Sequence, residues 1–148
     1  MNNNTYIVQL GGNDYYRSSK TRELLSSFSN SPTVILTGLT ELSNSRYDYS
    51  DHNALDTLGN FIHTRKWIEK GSLVYLVTDR HHLFRCLGLA RIVWGRDVQV
   101  IPCVEGVEGG SGHESFAYTS LDWFRAVIWK LTRITVVRQP KLMILIIP

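Results

Sequence analysis

Four short apolar runs, each closed by a small or polar residue and followed by a stretch of helical spacing, constrain this chain most. They are TYIVQL (5–10), TVILTG (33–38), SLVYLVTD (72–79) and DVQVIPC (97–103). Unbroken apolar runs of this length, bounded by turn formers, are typical of strands buried on both faces. Between them, residues 15–28, 54–71 and 80–95 space their apolar positions as amphipathic helices do, with Tyr16, Leu24, Leu25 and Phe28 marking the inner face of the first. Gly71 and Gly95 stand where a helix end accepts a left-handed residue. A long helix is expected over 116–134, and LMILII (142–147) reads as a last strand. Residues 39–53 read as a long loop and 104–115 as a Gly-rich one. Strands alternating with helices predict an α/β domain with a mostly parallel central sheet of about five strands.

The length of 148 residues suits one domain, large enough to bury a core without disulfide or metal staples. The formal net charge of +3 is too small to imply a nucleic-acid partner. From Leu121 onward, however, Arg125, Lys130, Arg133, Arg138 and Lys141 face one acid, Asp122. That excess reads either as a solvated helix face or as a surface for an anionic partner. Cys86 and Cys103 have no CxxC spacing and read as small buried hydrophobes of a reducing compartment. No apolar run is long enough to span a bilayer as a helix, and the expected location is cytoplasmic.

In a parallel sheet the binding crevice lies beyond the carboxyl ends of the strands, near the reversal in strand order. Those ends carry Gly11-Gly12, Thr37-Gly38, Thr78-Asp79 and Pro102. In GGNDYYR (11–17), two glycines let backbone N–H groups approach a ligand, and Arg17 can grip a phosphate or carboxylate. Neither the dinucleotide fingerprint nor the Walker loop is present, so a simple glycine corner is the competing reading. In VTDRHHLFR (77–85), Thr78 and Asp79 end a strand, while His82 and Arg85 lie three apart at the next helix start and can share a face. His82 is the candidate acid or base there, and Asp79 either orients a side chain or caps the helix. Asp79, His81 and His82, with His52 or His113, raise the idea of a metal. Adjacent histidines on a helix diverge by about 100°, so no metal site is expected. In DTLGNF (56–61), Asp56, Thr57 and Asn60 fall on one helical side, either as ligand contacts or as an ordinary polar face. Nothing marks a nucleophile: there is no GxSxG, and neither cysteine has an activating base beside it. Trp123, Val127, Leu131 and Ile134 form a stripe on the final helix, expected to pack on the sheet or, alternatively, to lie on a membrane surface.

These segments together resemble the DUF218 family, also called YdcF-like or SanA-like proteins. The resemblance rests on Gly11, Gly12 and Arg17, then Thr37 and Gly38, the T-x-x-N pair Thr57 and Asn60, the V-T-x-x-x-H-x-x-R element at Val77, Thr78, His82 and Arg85, Pro102, and Trp123 with Arg125. It runs over roughly residues 5 to 130. The chain departs from the pattern at Asn13, where a third small residue is usual, and in the short region around Glu41. The resemblance implies a Rossmann-like three-layer sandwich. It also implies a crevice lined by the Gly-Gly turn, the T-x-x-N element and the His/Arg helix start. Members have been linked to envelope processes and to nucleotide-like molecules such as S-adenosylmethionine.

The resulting expectation is a protein that binds an anionic or nucleotide-like small molecule at the strand ends. Gly11 and Gly12 supply backbone donors there, and Arg17 and Arg85 hold anionic groups. Thr37, Gly38, Thr57, Asn60 and Thr78 complete the wall, and His82 with Asp79 carries any chemistry. The alternative is an interaction module that docks a partner or membrane surface through the basic final helix.

Overall fold

The structure, a computed structural model, describes residues 4–11, 14–38, 47–105, 114–139 and 142–146. The chain enters on strand β1 (Thr5–Leu10), followed by helix α1 (Asp14–Ser27) and strand β2 (Thr33–Thr37). A three-residue strand β3 (Tyr49–Asp51) precedes helix α2 (Thr57–Thr64) and strand β4 (Leu73–Asp79). A 3₁₀ turn (Arg80–His82) then leads into helix α3 (Leu83–Val93), strand β5 (Gln99–Glu105) and helix α4 (Phe116–Thr132). Strands β6 (Thr135–Gln139) and β7 (Leu142–Ile146) end the described chain.

The five strands β3-β2-β1-β4-β5, in that spatial order, form an all-parallel sheet, as an α/β domain of the Rossmann-like three-layer type requires. The chain starts in the middle, moves to one edge, then crosses to the other. Right-handed crossovers taken in opposite directions put their helices on opposite faces of the sheet. Side-chain parity along the strands agrees. Tyr6, Val8, Leu10, Ile35, Val74 and Leu76 pack with α2, α3 and α4 through Leu58, Phe61, Leu89, Ala90, Ala126 and Trp129. Ile7, Val34, Val77 and Cys103 point the other way, toward Leu24, Leu25 and Phe28 on and just after α1. Phe61 is wholly buried, and burying a side chain of that size contributes about 1.5–3 kcal/mol.

Several elements differ from their sequence reading. The fifth strand of the sheet is β3, inside the region read as loop, rather than the terminal apolar run. Instead β7 pairs antiparallel with β6 in a separate two-stranded sheet. Strand β5 runs through Pro102 to Glu105 instead of ending there. It is an edge strand, where a residue lacking an N–H is tolerated. Helix α1 turns Arg17, Ser18 and Thr21 inward, and Tyr16 is exposed. Its polar inner face is matched by Gln9 of β1, which donates to Ser18 Oγ at 3.2 Å and accepts from Thr21 Oγ1 at 2.6 Å. Helix α4 presents a different face to the core from the expected stripe. Thr119, Asp122, Arg125, Ala126 and Trp129 face inward, while Val127 and Leu131 are exposed. Among the described residues, no helix is long and apolar enough to cross a membrane.

Candidate functional site

Where β1 and β4 lie side by side, the strand order reverses, and a cavity of about 290 Å³ opens beyond their carboxyl ends. Its lining is Leu10, Gly11, Arg17, Thr57, Asn60, Thr78, Asp79, His82 and Cys86. Strand ends, the first turns of α2 and the start of α3 thus converge. Seven of the residues singled out in the sequence line this space: Gly11, Arg17, Thr57, Asn60, Thr78, Asp79 and His82. Gly12, Asn13, Glu41 and His113 lie outside the described residues.

Arg17 reaches across the crevice from α1 and is almost wholly buried. Its Nε and Nη2 donate to the Asp79 carboxylate at 3.2 and 2.5 Å. Its Nη1 donates to the carbonyls of Leu10, at 2.8 Å, and of Gly11. Four of the five N–H groups of a guanidinium are used in this way. Asp79 therefore spends its carboxylate on Arg17 and makes no side-chain cap to the 3₁₀ turn. The Gly11 N–H is likewise committed, since it donates to Thr37 O at 2.6 Å and prolongs the strand ladder. Gly11 therefore offers the cavity close backbone approach rather than a donor.

Thr37 and Gly38 stand one layer behind the wall. Thr37 Oγ1 meets Asn60 Oδ1 at 3.3 Å. Gly38 sits at φ +104°, and a Cβ there would come within 3.1 Å of Asn60 Oδ1 and 3.3 Å of the Gly11 backbone. The glycine is needed for both conformation and space. Asp56 caps α2 by accepting from Gly59 N at 2.8 Å.

A second group of charges lies on the α3–α4 side. Arg85 stands outside the cavity lining and pairs with Glu114 at 2.6 Å and Asp122 at 3.0 Å. Asp122 also binds Arg125 at 2.6 Å, and Arg125 binds Asp56 at 2.5 Å. His82 Nδ1 lies 2.9 Å from Glu114 Oε1 and 3.1 Å from Arg85 Nη2. Glu114 Oε1 can accept from an Nδ1–H, and Arg85 Nη2 can donate to an unprotonated Nδ1, so Nδ1 lies between an acceptor and a donor. Burial first, then the adjacent His81, pushes the His82 pKa below its usual 6.5, against the pull of Glu114. The His81 and His82 rings lie 3.8 Å apart. Buried Arg85 Nε and Glu114 Oε2 have no hydrogen-bond partner among the described residues.

On the cavity floor, Cys86 meets Thr78 Oγ1 at 3.8 Å, and burial pushes its thiol up to about 11. A thiol in that state is a packing group rather than a nucleophile. Sequence reasoning passed over Glu114 as a partner of the site, and named Asp56, Asp122 and Arg125 without pairing them with one another. The i, i+3 spacing of Asp122 and Arg125 was the available signal, but it does not say which way that side of α4 faces.

The ion-paired residues described here comprise four carboxylates (Asp56, Asp79, Glu114, Asp122) and three guanidinium groups (Arg17, Arg85, Arg125), an excess of one negative charge. The crevice is polar without being cationic. No family model, curated protein or solved structure matches the chain.

Proposed function

We propose that the chain binds a nucleotide-like small molecule in the crevice between β1 and β4. What carries this reading is the position and lining of the cavity. It sits at the reversal of strand order, with hydrogen-bonding groups of Arg17, Thr57, Asn60, Asp79 and His82 above a floor of Leu10 and Cys86. Its volume lies at the low end for ligand pockets and suits a nucleoside-sized group. The paired arginines shift the ligand preference. A simple anion would have to displace Asp79 or Glu114, whereas a zwitterion can keep both ion pairs. S-adenosylmethionine, which the resemblance to the YdcF-like family brings forward, carries both signs of charge. His82, held between Glu114 and Arg85, is the group suited to exchange a proton if a reaction occurs. Two free cysteines, both buried, support a cytoplasmic setting as part of the same reading.

The test is calorimetry and thermal shift with adenosine, AMP and S-adenosylmethionine, on the native chain and on Thr57→Leu. This variant fills the cavity from a partly exposed helix start. At least one compound should bind the native chain, with affinity lowered about tenfold or more in the variant. No binding by any of the three, or equal binding by both proteins, would sink the proposal.

A second reading, an interaction module, is favoured by one observation. The outer side of α4 exposes Phe116, Phe124, Val127 and Leu131, at 75%, 62%, 42% and 80% of their surface. Phe84 of α3 adds to this area beside Trp123. The expected basic face is absent at its centre, because Arg125 is buried in ion pairs. An uncharged stripe at helical spacing fits a second copy of this chain better than an anionic surface, since it meets itself about a two-fold axis without opposing like charges.

A further inference from the structure

We infer that Asp79, His81 and His82 form a binding site for a divalent transition-metal ion, Zn²⁺ in the first instance, at the edge of the crevice. One ligand atom from each of the three lies within 4.8 Å of those of the other two. Ligands on one zinc ion stand about 3–3.5 Å apart, given bonds near 2.0–2.2 Å. Closing that gap requires side-chain rotation of about an ångström. His81 is exposed and has room to rotate. Two imidazoles and one carboxylate are a common set for zinc and its first-row neighbours, and leave coordination positions open.

The surroundings support the assignment independently of that distance. In the tautomer that donates from Nδ1 to Glu114, at 2.9 Å, Nε2 keeps the lone pair a metal needs. A carboxylate behind a histidine is the usual outer support of a metal-bound imidazole. Asp79 is held in the same manner by Arg17, through two hydrogen bonds. Each carboxylate oxygen carries more than one lone pair, so this grip does not exhaust Asp79 as a ligand. Asp79 and His82 also line the cavity, so an open position on the ion lies within reach of a bound molecule. The ion would act there as a Lewis acid or hold a water.

The test uses the full chain with Zn²⁺ in calorimetry and Co²⁺ in visible absorption, with no small molecule present. One ion per chain is expected at micromolar affinity or tighter, with the d–d bands of nitrogen and oxygen coordination for Co²⁺. His81→Ala, on an exposed residue that does not endanger the fold, and His82→Ala should each weaken binding by about tenfold or more. His63→Ala, at the separate His63–Asp51 pair, should leave it unchanged. Binding no tighter than millimolar, or binding that either His81→Ala or His82→Ala leaves intact, would overturn the site. Either result leaves the small-molecule reading standing, since that is measured without metal.

Discussion

A thiol that lines a cavity is chemically useful only if it can ionise, and Cys86 is held back from ionising. With its pKa at about 11, about one molecule in a thousand carries the thiolate at pH 8. We expect a disulfide reagent at pH 8 to leave Cys86 unmodified in the folded chain over many minutes and to react at once in denaturant. Rapid stoichiometric labelling of the native protein at Cys86 would show that the burial described here is wrong. Arg17 illustrates where residue-level reading stops. Its place near a strand end was legible from GGNDYYR, and so was its suitability for a carboxylate. The carboxylate it binds belongs to Asp79, sixty-two positions away, and no local pattern encodes that pairing. His82 and Asp79 were singled out because their residue types can do chemistry. Glu114, which lies 2.9 Å from His82 Nδ1, follows a Gly-rich stretch with no periodicity to mark it.

At the scale of elements, the fit between α3 and α4 depends on one missing side chain. A Cβ on Gly88 would lie 2.1 Å from Trp123 Nε1 and 2.2 Å from its Cε2. The indole also donates to Arg85 O at 3.2 Å, so it is fixed from both sides. Alanine in a helix is otherwise better than glycine by about 1 kcal/mol. Gly88→Ala should nevertheless destabilise the native chain by about 1–3 kcal/mol. With Trp123→Ala already in place, the same change should become neutral or stabilising. Urea unfolding of the four proteins measures this, and a stabilised single Gly88→Ala would refute the packing. The long apolar strands were readable because burial on both faces leaves an unbroken run. Strand β3, three residues with the sequence YSD, was not, because its one buried position is the polar Asp51 and so small a strand shows no apolar run. Helix α4 had a readable period and a misread face. Its inner side combines Ala126 and Trp129 with the Asp122–Arg125–Asp56 ion pairs, so hydrophobic spacing alone does not mark that face.

For the whole molecule, that inversion leaves an apolar strip on the outside. Monomeric proteins seldom carry large contiguous patches of this kind. If the strip joins two copies, sedimentation should show a concentration-dependent dimer, and Phe124→Asp with Leu131→Lys should return the monomer without lowering unfolding stability. Monomeric behaviour of the native chain at high micromolar concentration would refute the two-fold contact. The overall plan was legible to the level of an α/β domain with a parallel sheet. Which strand took the second edge was not, because edge pairing is decided by contacts distant in sequence.

Arg17 ties the carbonyls at the end of β1 to the carboxylate at the end of β4. Those are the two strands between which the crevice opens. The spacing of those two ends is therefore gauged by the width of a single guanidinium group, held on both sides and almost wholly buried. A guest bound as proposed above would have to suit a slot of preset width, because widening it breaks the Arg17–Asp79 ion pair. Selection would then be by calibre before charge.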